Sequence, residues 1–93
     1  MEFEFERRFF HDLENYNNDL EFLRLLWGKT KEIENADSFD DIAGMEDIRG
    51  RKVHYRFKVS VGKTTYRIGL KVLRSKIWFT VIDKHKKRFY ERI

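Results

Sequence analysis

The sequence predicts an α+β fold in which two N-terminal helices pack on one face of an antiparallel sheet of three to four strands. Two observations support this fold class. Apolar residues recur at the three- to four-residue spacing of helices before residue 36, and they alternate with polar residues from residue 53 onward. The 93 residues, 41% of them apolar, suffice for one small domain with one modest core, which we place at residues 1–93.

The first helix is predicted over roughly residues 6–16. Phe5, Phe9 and Leu13 are spaced by four residues, so they form one apolar stripe on a helix. The preceding segment MEFEF alternates apolar and acidic residues, which is typical of a strand. We therefore expect this segment to add an edge strand to the sheet.

The second helix is predicted over roughly residues 19–35, with an apolar stripe that begins at Leu20. It is separated from the first helix by the polar segment NYNND at residues 15–19, whose residue types favour turns and caps. Farther along, Ser38 is followed three residues later by Asp41. This spacing resembles a capping box and predicts one short helical turn.

Three strands are predicted after Gly50, because apolar and polar residues alternate there. The apolar residues are expected to face the helices, and the polar residues to form the opposite face. The apolar positions are Val53, Tyr55, Phe57, Val59 and Val61, then Tyr66, Ile68, Leu70 and Val72, then Ile77, Phe79 and Val81, with Trp78, Thr80 and Ile82 on the opposite side of the last strand.

Two-residue turns at Gly62-Lys63 and Arg74-Ser75 would connect these strands as hairpins. The resulting registers bring apolar residues opposite apolar residues, and a slip of one residue would destroy this match. The expected pairs are Val61 with Thr64, Val59 with Tyr66, Phe57 with Ile68, Tyr55 with Leu70, Val72 with Ile77, Leu70 with Phe79 and Ile68 with Val81.

The polar face of this sheet is strongly basic in the same registers. Like charges directly opposite each other destabilise a sheet by up to about 1 kcal/mol per pair, and the strands offer no carboxylate to relieve the repulsion. Such a face is expected to bind an anionic ligand, although a solvated polar face is the alternative. The expected pairs are Lys58 with Arg67, His54 with Lys71, and Arg56 with Gly69, while Trp78 lies across from Lys71.

Gly69 suggests how the ligand would be held. A glycine within a strand often marks a close approach of a ligand or another backbone, so it would form the floor of a trough between cationic side chains. A phosphate–sugar chain fits such a trough, and Trp78 would stack a base at its edge. These features favour single-stranded RNA.

Charge is distributed unevenly along the chain, although the net charge is only +4. Residues 1–47 carry 14 Asp or Glu and 5 Lys or Arg, whereas residues 48–93 carry 2 and 15. This asymmetry indicates two surfaces with different partners, the alternative being two solvated halves that partly neutralise one another. The absence of cysteine excludes disulfides and thiolate metal sites, and no apolar run approaches the length of a membrane span. We expect a cytoplasmic protein.

The basic face and the C-terminal segment IDKHKKRFYERI contain the groups that cleave RNA without a metal. In this reaction the 2′-hydroxyl attacks the neighbouring phosphate, so the site needs proton-transfer groups and fixed positive charge. Arg67 would hold the phosphate, His85 would transfer a proton, and Tyr90 would stack a base or orient a hydroxyl. His54 is a further candidate, His11 is expected to be structural or exposed, and Lys84, Lys86 and Lys87 would supply neighbouring charge.

Several motifs resemble the RelE/ParE superfamily of bacterial toxins from toxin–antitoxin modules. These are YRF at 55–57, YRIG at 66–69 and HKKRFY at 85–90, preceded by a stretch at 33–50 that resembles the segment leading into the sheet of these toxins. The chain departs from the family in Lys86, where the family usually has an arginine with a bidentate fork, and in the longer first hairpin at SVGKTT.

The resemblance implies a type II toxin, a ribosome-dependent and metal-independent mRNA endonuclease, with its catalytic groups on the first hairpin and the terminal motif. The partners it implies are a cognate antitoxin and mRNA on the ribosome, without a membrane, metal or other cofactor. The alternatives are a ParE-like inhibitor of DNA gyrase and a small RNA-binding protein without catalysis. The predicted catalytic residues are Arg67, His85, Lys86, Tyr90 and Lys58, and the predicted RNA-binding residues are His54, Arg56, Lys71, Trp78, Lys84 and Lys87.

Overall fold

The computed structural model describes all residues from 1 to 93, and these form a five-stranded sheet with three α-helices. No helix combines the length and hydrophobicity needed to cross a bilayer. The strands are β1 (Glu2–Phe5), β2 (Glu46–Asp47), β3 (His54–Val61), β4 (Thr64–Leu73) and β5 (Lys76–Asp83). The helices are α1 (Arg7–Glu14), α2 (Leu20–Asn35) and α3 (Lys86–Arg92), with a 3-10 turn at Phe39–Asp41.

The two N-terminal helices are confirmed, and α2 begins at a well-defined cap. Asp19 accepts a hydrogen bond from the Phe22 amide at 3.0 Å, which satisfies one of the free donors of the first turn. The same carboxylate accepts a hydrogen bond from the Tyr66 hydroxyl. Burial and this carboxylate raise the pKa of Tyr66 to about 12. The start of α2 is therefore tied to β4. The capping box between Ser38 and Asp41 is also present.

The sheet is larger than predicted and is mixed. Its strand order is β1-β5-β4-β3-β2. The segment MEFEF does form the edge strand β1, but it pairs with β5 in parallel, whereas the remaining pairs are antiparallel. The prediction of three to four antiparallel strands was therefore wrong, because β2 and the parallel pairing carry no hairpin signal in the sequence. The third helix, α3, was also not predicted.

The hairpin between β3 and β4 has the predicted register throughout, with Phe57 opposite Ile68 and Lys58 opposite Arg67. Gly62 in its turn has a φ of 58°, which glycine adopts without strain. The second hairpin turns at Arg74 and Ser75 as predicted. Both residues have positive φ values, 52° and 64°, as a two-residue turn between twisted strands requires.

A β-bulge in β5 changes the faces of its C-terminal half. The register shifts between Gly69 and Leu70, so Ile68 lies opposite Ile82 instead of the predicted Val81. The extra residue on β5 is Thr80, because Gly69 pairs with Val81 and Leu70 with Phe79. As a result Ile82 joins the main core and Val81 faces the other side of the sheet. The predicted placement of these two residues was wrong.

The sheet therefore has a different cover on each face. The main core lies between the sheet and helices α1 and α2, and its aromatic side chains Phe9, Phe22, Phe57 and Phe79 are almost fully buried. Each contributes about 1.5–3 kcal/mol by leaving water. A second, small core on the other face joins Ile48, Val81, Phe89 and Ile93. We call this second face the α3 face.

Candidate functional site

The end of the α3 face near Lys58 and Arg67 carries two cations without an ion pair. Asp83 of β5 lies opposite Arg67 in the sheet register. However, its carboxylate is engaged by Arg88 and Arg92. Lys58 and Arg67 lie directly opposite each other on β3 and β4. Lys58 is exposed and Arg67 is half-buried, and neither forms an ion pair. Repulsion between two such neighbours is relieved most readily by a bound anion.

The other predicted cations of this face have acidic partners outside the strands. Arg56 pairs with Glu46 of β2 at 2.7 Å, and Lys71 pairs with Glu6 at 2.7 Å. Burial raises the pKa of Glu6, but hydrogen bonds from Lys71 and Arg8 lower it more, so the net shift is downward. The prediction of a cationic face was therefore wrong at Arg56 and Lys71, where acidic side chains neutralise the charge.

Helix α3 covers the middle of the face, where the trough was expected. Phe89 and Ile93 are buried against the sheet. A methyl group on Gly69 would lie 2.8 Å from the Thr80 Oγ1 and 3.1 Å from the Ile93 Cγ2. The absence of a side chain at Gly69 therefore allows Thr80 of β5 and Ile93, directly after α3, to pack closely against β4. The interpretation of Gly69 as the open floor of a phosphate trough was wrong.

Two buried aspartates hold α3 in place. Arg92 donates to both carboxylate oxygens of Asp12 at 2.6 Å and to Asp83 at 3.1 Å, while Arg88 donates to Asp83 at 2.8 and 2.9 Å. Burial raises the pKa of Asp83, but hydrogen bonds from Arg88, from the His85 amide and from Arg92 together lower it to about 2. We call Asp12, Asp83, Arg88 and Arg92 the α3 latch.

The latch also supplies hydrogen-bond partners to the backbone of β5 beyond the part that pairs with β1. The Ile82 amide donates to Asp12 at 2.9 Å, and the Ile82 carbonyl accepts from Arg92 at 3.1 Å. Backbone groups that would otherwise be orphaned are thus paired with charged side chains. The sequence offered one signal for this missed cluster: Asp83 is one of only two acidic residues after residue 47.

Tyr90 is brought to the basic face by α3. Its hydroxyl accepts a hydrogen bond from the Arg56 Nε at 2.8 Å, and Arg56 is held from the other side by Glu46. Tyr90 is 37% exposed, so its ring remains accessible to a ligand. The predicted residues Arg56 and Tyr90 therefore lie in direct contact.

His85 stands at the start of α3 and caps it. Its Nδ1 accepts a hydrogen bond from the Arg88 amide at 3.3 Å. Assigned from this bond, the neutral ring carries its proton on Nε2. A proton transfer at Nε2 requires Nδ1 to carry a proton instead, so it requires loss of the cap bond. Lys86 and Lys87 follow in the exposed first turn of α3, without acidic partners.

Two of the predicted RNA-binding residues, Lys84 and Trp78, lie away from Arg67. The Lys84 Nζ lies 5.5 Å from the ring centroid of Tyr16 and 5.9 Å from that of Tyr66, beside the loop between α1 and α2. Trp78 lies at the far end of the α3 face, opposite Lys71, and its ring is covered by the Lys76 Nζ at 4.7 Å. The structure therefore does not gather these two side chains around Arg67.

Four buried polar atoms on the α3 face have no hydrogen-bond partner within the protein. They belong to β3, β4 and β5, which the small core covers. Buried polar groups without a hydrogen bond are rare, because each lowers the stability of the folded state. The atoms are His54 Nδ1, Arg56 Nη1, Arg67 Nε and Thr80 Oγ1. Burial and the charges of Arg51, Lys71 and Arg8 lower the pKa of His54. Three of these four atoms belong to residues that we predicted to contact RNA. No group of three or more His, Asp or Glu side chains could hold a metal ion.

Comparison with known proteins gives one clear likeness. No protein-family model matches the chain, and no curated protein matches it. Among solved structures, a chain of the RelB–RelE antitoxin–toxin complex from Methanococcus jannaschii is similar, with 25% sequence identity, a TM-score of 0.70 and 94% coverage of each chain. The protein therefore has the fold of a component of a toxin–antitoxin complex, and this supports a role in such a system with a partner protein.

Proposed function

We propose that this chain is the toxin of a type II toxin–antitoxin system and that it cleaves mRNA on the ribosome. The observation that carries the proposal is the pair of Lys58 and Arg67, two cations without an ion pair at the end of the α3 face, next to the strand end that leads into His85, Lys86 and Tyr90. The likeness to a chain of a RelB–RelE complex supports it.

The choice of toxin over antitoxin rests on the chemistry of this surface. The motifs YRF, YRIG and HKKRFY that resemble RelE-type toxins supply five of its residues, namely Arg56, Arg67, His85, Lys86 and Tyr90. A surface on which Lys58 and Arg67 have no acidic partner suits a phosphodiester better than it suits a second basic protein. A cognate antitoxin is then the expected partner, and the cytoplasm the expected location.

The proposed reaction is an internal transfer at one phosphodiester. A base removes the proton of the 2′-hydroxyl, its oxygen forms a bond to phosphorus, and the bond from phosphorus to the 5′-oxygen breaks. An acid gives a proton to the departing 5′-oxygen. The products are a 2′,3′-cyclic phosphate and a 5′-hydroxyl, and no metal or cofactor takes part.

The side chains divide this work according to their position. Arg67 and Lys58 would bind the phosphoryl oxygens and stabilise the negative charge that grows on them in the transition state. Tyr90, fixed by Arg56, would orient the nucleotide, and Lys86 and Lys87 would attract the strand. His85 would transfer a proton through Nε2 once its cap bond is released.

A second function, RNA binding without catalysis, is favoured by the state of His85. Its Nδ1 is engaged as a helix cap, which opposes proton transfer. In that case the protein would bind RNA with a steep salt dependence and leave it intact. Inhibition of DNA gyrase is the remaining alternative from the resemblance.

Induced expression of the wild type, Arg67→Ala and Lys63→Ala tests the proposal. Lys63 is a matched control because it is an exposed cation in the turn of the same hairpin, without an acidic partner. Mapping of RNA 5′ ends should reveal cuts in a reporter mRNA that is translated and none in the same mRNA without a start codon. We expect Arg67→Ala to abolish the cuts and Lys63→Ala to retain them.

Growth arrest with intact translated mRNA would contradict the endonuclease. A DNA-damage response together with loss of supercoiling in that experiment would point to gyrase. Retention of full cleavage by Arg67→Ala would refute the assignment of the site.

A further inference from the structure

The loop between β2 and β3 is the second concentration of uncompensated positive charge. It comprises residues 48–53, with the sequence IRGRKV, and we call it the cationic loop. Arg49 and Lys52 form no ion pair, whereas Arg51 donates to the main-chain oxygen of Ile93. The loop borders a cleft of about 390 Å³.

The backbone of the cationic loop is held in an unusual conformation. Gly50 has a φ of 77° and Val53 a φ of 59°. A β-branched residue rarely adopts this region, and such a residue costs about 1–3 kcal/mol. The amides of Arg49, Gly50, Lys52 and Val53 donate no hydrogen bond within the protein. Free amides beside residues of positive φ are the donors that bind phosphate in backbone nests.

The core holds this loop in a fixed position relative to the α3 face. Ile48 packs in the small core with Phe89 and Ile93, and the Arg51 guanidinium donates to the Ile93 carbonyl. The loop leads into His54, which pairs with Lys71, four residues along the strands from the pair of Lys58 and Arg67. At about 3.4 Å per residue, His54 at the end of the loop and Lys58 are about 14 Å apart, too far for the two cationic regions to share one phosphate.

We propose that the cationic loop binds the phosphate backbone of RNA as an anchor separate from the cleavage site. This inference rests on the proposed function for the identity of the anion as RNA. Arg49 and Lys52 would each neutralise a phosphate, and the free amides would donate to its oxygens. The loop would thus raise affinity for RNA without taking part in the reaction.

RNA is a better match for the loop than an acidic protein segment. Protein interfaces depend on a few large apolar or aromatic anchors, and Val53 is the one exposed apolar side chain of the loop. Phosphate groups need only cations and amide donors, which the loop supplies in excess. Binding of an acidic protein segment in place of RNA would therefore contradict the inference.

The double variant Arg49→Gln/Lys52→Gln tests the inference on the full chain. Arg51 is left in place because it contacts Ile93. The control is Arg24→Gln/Lys31→Gln, which removes the same charge from α2, on the face of the sheet opposite to α3. The probe is a 20-nucleotide single-stranded RNA, and its affinity is measured by fluorescence anisotropy over a range of salt concentrations.

We expect the loop variant to reduce the slope of log affinity against log salt by about 1.4, at about 0.7 for each phosphate that is no longer neutralised. The control should leave the slope at the wild-type value. Equal slopes in the loop variant and the wild type would overturn the inference. Loss of binding to a co-produced partner protein, with an unchanged RNA slope, would assign the loop to an acidic protein segment instead.

The outcome is independent of catalysis. Should the wild type fail to cut translated mRNA while the slope difference is observed, the proposed endonuclease would fail and the RNA anchor would stand. Should the wild type cut translated mRNA while the slope is unchanged, the anchor would fail and the endonuclease would stand.

Discussion

Asp83 is the residue whose replacement tests the α3 latch most directly. Its side chain is 1% exposed and accepts hydrogen bonds from Arg88 at 2.8 and 2.9 Å, from Arg92 at 3.1 Å and from the His85 amide at 2.9 Å. The substitution Asp83→Asn keeps the shape of the side chain and removes its charge. Arg92 would keep Asp12 as a partner. The loss of folding stability should therefore be smaller than for the removal of one member of an isolated buried ion pair.

The pKa of Asp83 gives the size of the effect. Its folded pKa of about 2 lies below the ordinary value of 3.8, so ionised Asp83 stabilises the folded state. A shift of this size corresponds to about 2 kcal/mol of unfolding free energy at neutral pH. This contribution is complete above the unfolded pKa and is lost as the pH falls through the folded pKa. It should therefore decrease to about half near pH 3.

Urea denaturation at pH 7 and pH 3 measures the effect. We expect Asp83→Asn to lower the free energy of unfolding by about 2 kcal/mol at pH 7 and by about 1 kcal/mol at pH 3. Asp37→Asn is the control, because Asp37 is exposed and has no ion-pair partner. A loss below about 0.5 kcal/mol at pH 7, or the same loss at both pH values, would refute the role of the charge.

Substitutions at two further positions, His85 and Gly69, separate packing from chemistry. His85→Ala should lose the α3 cap at a cost of about 1 kcal/mol, whereas His85→Asn should retain the cap and lose RNA cleavage. Cleavage at the wild-type rate by His85→Asn would limit His85 to capping. Gly69→Ala should destabilise the protein by about 1–3 kcal/mol through its contacts with Thr80 and Ile93. The control is Gly28→Ala in α2, where the added methyl group meets no atom within 4 Å and should stabilise the protein. Equal changes in melting temperature for the two variants would contradict the packing role of Gly69.

The register of the first hairpin was predictable because two independent constraints agree on it. The alternation of apolar residues fixes which face of each strand is buried, and Gly62 fixes the position of the turn. Together they place Lys58 opposite Arg67, so the core of the candidate site follows from local sequence. The same constraints correctly predicted a turn at Arg74 and Ser75, although neither residue type favours positive φ.

The features that were missed depend on contacts between distant segments. The bulge at Thr80 follows from the close packing of β5, Gly69 and Ile93, and nothing in the alternation of β5 marks it. The parallel pairing of β1 with β5 joins segments more than 70 residues apart. Helix α3 has seven residues, which is too short to show a clear periodicity, and its stability derives from Asp12 and Asp83.

The fold redistributes the charge that the sequence separates. Acidic residues of the first half neutralise cations of the second half on the α3 face, through the pairs Glu6 with Lys71, Asp12 with Arg92 and Glu46 with Arg56. The two halves thus partly neutralise each other, yet not uniformly. Positive charge without an acidic partner persists at Lys58 and Arg67 and on the cationic loop, on either side of the neutralised region. An anion that binds the α3 face is therefore attracted to these two ends. One chain that reaches both must be longer than a single nucleotide, because the ends are about 14 Å apart. This distribution of charge favours a polymeric anion over a small one.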